Sequence, residues 1–574
     1  MKKLILLLLV AAMLLSLAAC GGSGSTNADN TADDAAEEAT VEDAADDAAD
    51  AADEADEADE AAASTGDIDL GDTPVFLAVT ADVVNMDVAQ TTAEYYVPMN
   101  VYDRLFEIKV QDDGSTDIVP SLVADYSVSD DGLTYSFTIR DDVFFTNGVQ
   151  MTANDVKYTF VRLLTAGGVN TEIPEEVVGA EALENGEADD LEGIEVIDDY
   201  NLTVTLSAPN AGFIAELTSP AMSIVCQSVV ENAENIGLNI DEVVGSGPYM
   251  IVEWVPNDHH TLVRNDNYWG EKPSASAAVR YVVPDASTQN LMFQNGELDI
   301  IDLDNLDAAI ISSTYKTTYA DSIVAGHRVG VTYMAMNENN EFLSDVNVRK
   351  AVQMAINRQA ILDVLYDGDG IIENGIIATG VWGHNPDLPE IEYNPDEARQ
   401  LLTDAGYAEN EVTFELALDN SAGATFEMLY QQVQQDLAAI GIKTNIERYD
   451  ESAWLEMRKS GEMDSFFATW TMDYNDPANI MDVFYGSADN TAGRSLNYPD
   501  TEIMARVRAA SSIVDDDERM AEYQALEEKI IVEDAAWVPM YERAHLFAIG
   551  ENVAAFVPHW AGYGDFFVRD VTMN

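Results

Sequence analysis

The chain has 574 residues, and 105 acids stand against 27 bases for a net charge of −78. That balance excludes a nucleic-acid partner, whose phosphates need a Lys/Arg surplus, and equally excludes a basic patch for anionic lipid. Two cysteines exclude a disulfide framework or a Cys-rich metal site, while 47% hydrophobic residues are enough for a large core in three or four units of about 150 residues, or one multi-lobed body.

The chain opens with Lys2 and Lys3, then an apolar run from Leu4 to Ala19 broken only by Ser16. The run is short for a bilayer span of about 20 residues and reads as a signal peptide, residues 1–20. It ends Leu17-Ala18-Ala19-Cys20, which resembles a bacterial lipobox. The resemblance implies that Cys20 becomes an acylated N-terminus, and two or more acyl chains hold a protein stably on a bilayer. Residues 21–66 follow as an acidic tether. Asp29 to Glu60 contains 16 acids and no Lys or Arg. Like charges recur at helical spacing without a basic partner, so a disordered spacer is expected, very roughly 40 Å across as a coil and longer under self-repulsion.

Beyond the tether, short β-type runs alternate with longer helical ones. Strands are expected at Val75–Val79, Thr134–Arg140, Leu202–Leu206, Thr261–Arg264, Val279–Val283, Tyr333–Asn337, Thr413–Ala417 and Phe466–Thr471, which are rich in Val, Phe, Tyr and Thr. Helices are expected at Ala153–Leu164, Ser287–Asn295, Val346–Leu365, Pro395–Ala405, Ala422–Ile440, Glu451–Ser460 and Asp515–Asp534. Asn394-Pro395 is a helix start, and Gly406 and Gly441 are helix stops. The mixture predicts an α/β architecture.

Motifs for catalysis are missing. The sequence has no phosphate-binding Gly-x-x-x-x-Gly-Lys, no dinucleotide fingerprint, no Gly-x-Ser-x-Gly elbow and no His-Glu-x-x-His. No catalytic residue, metal or cofactor is therefore expected, and the chain does not read as an enzyme. Asp367-Gly368-Asp369-Gly370 begins like a calcium loop, but Ile371 stands where a ligand oxygen is needed, so it reads as a turn. His259-His260 reads as a pair of exposed loop residues, and Cys226, in an apolar run, as a buried inert thiol.

The aromatic-rich strings say more. Tyr102-Asp103-Arg104-Leu105-Phe106 is followed by Asp131-Gly132, a hairpin turn, and by an alternating strand to Arg140. Asn147-Gly148 makes a second turn, and Thr152 caps a helix. The strings DDGLTYSFTIR and MTANDV, in that order, resemble the long signature of the family 5 extracellular solute-binding proteins, receptors of peptide, dipeptide and nickel ABC importers. Gly245-Ser246-Gly247-Pro248-Tyr249, Arg264-Asn265 with Tyr268-Trp269-Gly270, Gly296-Glu297-Leu298-Asp299, the run VRKAVQMAINR from Val348 to Arg358, and Ala398 to Tyr407 resemble further family strings. Asn357 stands where the family usually has Asp. The resemblance covers nearly everything from about residue 70 onward.

It implies a two-lobed periplasmic-binding-protein-like fold (type II, cluster C) with an extra small α+β domain. Lobe I would be residues 67–105, 205–329 and 546–574, the accessory domain 106–204, and lobe II 330–545, with hinge strands near residues 330 and 545. Most signature strings, including Gly245 to Tyr249, Arg349 and Arg358, would be turns and core packing. The exception is Phe466 to Pro477, which resembles a cleft strand ending in Trp-x-x-Asp. It implies that Asp473 holds a peptide's α-ammonium, that Thr469, Trp470 and Thr471 pair with or wall the ligand backbone, and that Asp476 is a turn residue. A carboxylate in a closing cleft suits an amine that is cationic at neutral pH, and backbone pairing reads a peptide without reading its side chains. By spacing, Gln90-Thr91-Thr92 would supply the facing strand. His384 reads as a satisfied loop histidine. The implied function is a substrate-binding lipoprotein of an ABC importer. It would be monomeric, lipid-anchored through Cys20 on the extracytoplasmic side of the cell membrane, and would deliver short peptides to permease and ATPase subunits. A nickel complex, haem or a glycoside as solute, or peptide sensing without transport, are the alternatives.

Overall fold

A computed structural model describes residues 68–91, 95–111, 116–233, 235–561 and 567–574. The expected signal peptide, Cys20, the tether and Thr92 lie outside the described residues. Strands, in chain order, are β1 (Pro74–Val79), β2 (Phe106–Val110), β3 (Thr116–Pro120), β4 (Val123–Val128), β5 (Thr134–Ile139), β6 (Ile194–Asp198), β7 (Asn201–Thr205), β8 (Tyr249–Val255), β9 (His259–Arg264) and β10 (Ala277–Val282). They continue with β11 (Ile300–Asp302), β12 (Ile323–His327), β13 (Gly330–Met336), β14 (Gly370–Ile372), β15 (Thr413–Asp419), β16 (Lys443–Tyr449), β17 (Ser465–Thr471), β18 (Trp537–Ile549), β19 (Val553–Phe556) and β20 (Val571–Met573).

The first sheet has the order β1-β10-β9-β8, with β1 parallel to β10 and the rest antiparallel. A small antiparallel sheet, β4-β5-β7-β6, carries the turn at Gly132 and packs on the helix Ala153–Thr165. That helix starts as its sequence dictates: the Thr152 backbone N–H donates to Asp155 Oδ2 at 2.9 Å, which satisfies a donor the helix itself cannot. The hairpin β2–β3 stands apart from both sheets.

The remaining large sheet runs β11-β18-β13-β17, with β12 and β14 also paired to β18. Its centre is buried on both faces, as all seven residues of β13 show. Alternation sorts them: Val331, Tyr333 and Ala335 enter one core with Phe466 and Trp537, while Met334 and Met336 enter another with Phe467, Val538 and Met540. Farther along β18 the neighbours change. Leu546 and Ala548 join a third core and Phe547 a fourth, which underlies the β1 sheet. One 13-residue strand therefore ties separate cores together, with β13 beside its first part and β12 beside its last.

The named strand candidates are strands in the structure, with ends shifted by up to three residues. Three expectations change. The helix expected at Val346–Leu365 is two helices, Val346–Ala355 and Arg358–Tyr366, because the Asn357 side chain accepts from Ala360 N and caps the second. His259 and His260 are not exposed loop residues. They sit in β9, buried, with His259 held between Asp258 and Glu253 at 2.6 and 2.9 Å. The segment Gln90-Thr91 is a turn and not a strand, since the N–H groups of both residues donate to Asp87 O. Asp367-Gly368 is a turn that leads into β14 at Gly370, with the carboxylates of Asp367 and Asp369 both held by Lys316. Cys226 is buried with a free thiol.

Candidate functional site

The site grows from the exposed end of β17. Among the described strands β17 pairs only with β13, so its other edge is left without a strand neighbour. Thr469 Oγ1 and Thr332 Oγ1 lie 2.9 Å apart across the pair. The strand stops after Thr471, where the buried Met472 donates its N–H to Val329 O at 3.0 Å and turns the chain outward. Asp473 comes next, in a bend, and is exposed to solvent.

Asn479, near the start of the helix Ala478–Tyr485, fixes this bend. Its side-chain oxygen accepts from Trp470 Nε1 and from Asp473 N, each at 3.1 Å, and its Nδ2 donates to Asp473 Oδ2 at 3.1 Å. Asn479 is itself buried. One amide thus sets both the indole and the carboxylate that the sequence singled out. The Arg494 guanidinium lies 4.8 Å from the Trp470 ring centroid and 5.0 Å from that of Phe484, a cation over two aromatic faces. Burial lowers its pKa. Across the gap, burial and then the charge of Asp473 raise the Glu172 carboxyl above its ordinary range. The neighbourhood of Asp473 therefore holds both signs of charge.

Asp473 lines a crevice with Met99, Arg104, Glu107, Ile108, Thr218, Pro220, His559, Trp560 and Phe567. Its atom-free space is ≈ 330 Å³, open solvent included. The other wall comes from the short helix Pro98–Val101, the turn into β2 and the C-terminal segment. The signature strings build that wall. Gly247 N donates to Val101 O at 2.8 Å, and a Cβ on Gly247 would fall 2.6 Å from the same oxygen, so a side chain cannot be accommodated without moving backbone. Ser246 Oγ and Trp269 Nε1 each donate to Asp103 Oδ2 at 2.9 Å. Asp103 is buried, and burial raises its pKa against those two hydrogen bonds.

The sequence-predicted residues divide accordingly. Asp473 faces the crevice; Thr469, Trp470 and Thr471 form the strand leading to it. Gln90 and Thr91 are not among the lining residues. Gln90 is exposed and Thr91 O accepts from Tyr95 Oη and Asn170 Nδ2. Asp476 is more than a turn residue. It accepts from Ala478 N and forms a buried 2.6 Å pair with Arg519. His384 Nδ1 lies 2.8 Å from Ile377 O, a satisfied loop histidine. Sequence reasoning missed Asn479, Arg104, His559 and Phe567. A signal existed for Arg104, the lone cation in the string Tyr102–Phe106, all of which is buried. A cluster of Asp302, Asp304 and His545 offers three ligand atoms within 4.8 Å, but Arg328 and Arg543 lie against Asp304 and supply the positive charge a metal would bring.

A two-sided crevice between sheet bodies joined by a long shared strand defines a solute-binding fold, and comparison with known proteins agrees. Residues 117–492 match the model of the bacterial extracellular solute-binding proteins, family 5, and the chain belongs to that family. It is 27% identical over 480 residues to heme-binding protein A of Haemophilus influenzae, covering 81% of this chain and 86% of the relative. It is also 27% identical over 490 residues to the probable D,D-dipeptide-binding periplasmic protein DdpA of Escherichia coli, covering 83% and 90%. Among solved structures, DppA of Helicobacter pylori in complex with the peptide STSA superposes with a TM-score of 0.68 at 26% identity, over 87% of this chain and 97% of that one. NikA of Brucella suis with Fe(III)-EDTA superposes with a TM-score of 0.77 at 21% identity, over 88% and 100%, a likeness of fold. The fold is the two-lobed, mixed α/β type of the periplasmic binding proteins. Among the described residues no helix is long and apolar enough to cross a membrane.

Proposed function

We propose that this protein captures short peptides in the crevice at Asp473 and delivers them to the permease of an ABC importer. The observation that carries the reading is Asp473 itself, a carboxylate held by Asn479 at the end of an edge strand and facing a narrow crevice. An extended peptide added to the open edge of β17 would exchange main-chain hydrogen bonds with it near Thr469 and Thr471. Trp470 would give an apolar wall, and the ligand's α-ammonium would meet Asp473. The relatives named for dipeptides and the peptide-bound solved structure support the solute class.

Lobe II would comprise residues 330–545, clamped against a lobe I of 67–105, 205–329 and 546–574, with 106–204 as the accessory domain. The paired strands near residues 330 and 545 would be the hinge, and the closed form would dock on the permease. Cys20 would carry the lipid anchor outside the cytoplasm, with the acidic tether as spacer and the protein acting as a monomer.

Titration calorimetry with a free peptide and its N-acetylated form tests the ligand chemistry. Asp473→Asn should weaken the free peptide by about 1.5–3 kcal/mol, the usual worth of a hydrogen bond to a charged group. N-acetylation should cost the wild type a similar amount. Equal affinity in all arms removes Asp473 from the site, and no binding of any peptide ends the peptide reading.

A further inference from the structure

The two edges of β18 are unlike. Along one, β12 and then β13 pair with it, and only Arg328 and Val329 separate the two, so the chain itself carries across from core to core. Along the other, β11 pairs with residues 547–549 and β14 with residues 541–543. Among the described residues no strand faces 544–546 on that edge. What crosses the break is charge. Arg543 lies 3.3 Å from Asp304, and Lys316 Nζ lies 2.9 Å from Asp367 Oδ2 and 2.8 Å from Asp369 Oδ2.

Lys316 and its carboxylates belong to different cores. Lys316 follows Tyr315, which is buried with Leu298, Ile301 and Leu546. Asp367 ends the helix Arg358–Tyr366, whose Ile361, Leu362 and Leu365 pack with Met334 and Val538. Local structure has no use for these acids. A helix C-terminus carries a partial negative charge that disfavours carboxylates. Asp367 also stands at φ 55°, a left-handed position where glycine is the less strained residue. The acids are met from the other core instead, since Ser312 Oγ, one turn before Lys316, also donates to Asp367 Oδ2 at 2.8 Å. The crevice walls face each other in this same arrangement, with Asp473 on one side and Thr218 and Pro220 on the other.

We propose that Lys316, with Asp367 and Asp369, is an electrostatic latch joining the two lobes on the edge of β18 that no strand bridges, and that it favours the arrangement in which the crevice walls face one another. The latch rests on the two-lobed clamp proposed above and gives that clamp a bias. A contact shifts a two-state equilibrium only by the difference in its strength between the states. The hinge strands stay paired in both states, but Lys316 and its carboxylates ride on different lobes and part when the lobes rotate open.

Spin labels at Leu291→Cys and Met428→Cys, exposed helix positions on different lobes, read the distance across the hinge in the full chain. Cys20→Ser removes the other reactive thiol, and Cys226 is buried. Without ligand, Lys316→Gln should lengthen and broaden that distance. Asp367→Asn with Asp369→Asn should do the same, and all three changes together should add nothing, because one contact is lost in each case. Calorimetry with a short free peptide should show about two- to fivefold weaker binding in each variant, the range for a partly exposed ion pair. Distances that stay unchanged or shorten overturn the latch, as do effects that add in the triple variant. Longer distances with unchanged affinity overturn it too, since a bias toward the binding form must appear in both measurements. If the wild type binds no peptide, the peptide reading falls and the ligand-free distances still decide the latch.

Discussion

Asp476 and Arg519 are 2% and 4% exposed and meet at 2.6 Å, with the Arg519 guanidinium also 4.1 Å from the Trp382 ring centroid. Burial raises the Asp476 pKa, and Arg519 is the largest influence opposing that rise. The pair anchors the bend that carries Asp473, since Asp476 also starts the helix containing Asn479. Removing one partner of a buried pair leaves an uncompensated charge, at about 3–5 kcal/mol, whereas removing both does not. Arg519→Met should therefore lower stability in urea by about that amount, and Asp476→Asn with Arg519→Met should recover most of it. Equal losses in the single and double variants would show that packing against Trp382, and not charge, is what Arg519 supplies. At this scale a motif points to Asp473, and the structure sets that residue on the crevice wall. No motif points to Asn479, because a helix-start asparagine carries no signature until its neighbours in space are known.

Strand β17 reaches its position only because β13 lets it approach. A Cβ on Gly330 would fall 2.3 Å from Trp470 O, and the neighbour is backbone that no rotamer change can clear. Gly330→Ala should push the end of β17 away, by overpacking worth about 1–3 kcal/mol, and should move Asp473 with it. A fall in melting temperature together with weaker peptide binding is expected; unchanged binding in a destabilised protein would mean that the bend is held by Asn479 alone. Element boundaries were largely legible. Alternating Val, Phe and Tyr marked β5, β13 and β17, and Asn394-Pro395 marked a helix start whose asparagine side chain accepts from Glu397 N. The longest strand, β18, was not among the expected ones. Its middle, Glu542 to His545, interrupts the apolar pattern with charge because it passes between cores, where Arg543 meets Asp304 and His545 meets Asp302. The turn at Gln90 departs from the strand that spacing implied, because two threonines without a motif do not fix a strand.

Across the whole molecule, the core under the small antiparallel sheet meets the core of the large sheet through a cluster of carboxylates. Asn210 Nδ2 bonds both Glu176 Oε2 and Glu216 Oε1 at 2.8 Å, and next to it the Ala211 N–H donates to Ser511 O at 2.8 Å. Asp476 and Asp482 face them from the other side, with Arg519 and Arg508 as the cations and Tyr474 and Tyr523 within the same field. Glu216 Oε2 and Asp482 Oδ1 are buried without partners. Burial first, then the neighbouring carboxylates, raise Glu216 well above its ordinary value, and burial lifts Asp482 to about 7. In the unfolded chain these groups titrate near 4. The folded state thus holds protons that the unfolded state has released, so stability falls as pH rises from about 4 through 7. Surface repulsion from the net charge of −78 has the same sign, but exposed carboxylates are already ionised by about pH 6 and add no slope above it. Scanning calorimetry from pH 6 to 8 at constant ionic strength should show the melting temperature declining by roughly several degrees. Asp482→Asn should flatten the decline, and added salt should leave it largely in place because the cluster is buried. A midpoint that holds level or rises over that range would mean that the two cores meet without trapping protons, and that their contact is indifferent to pH.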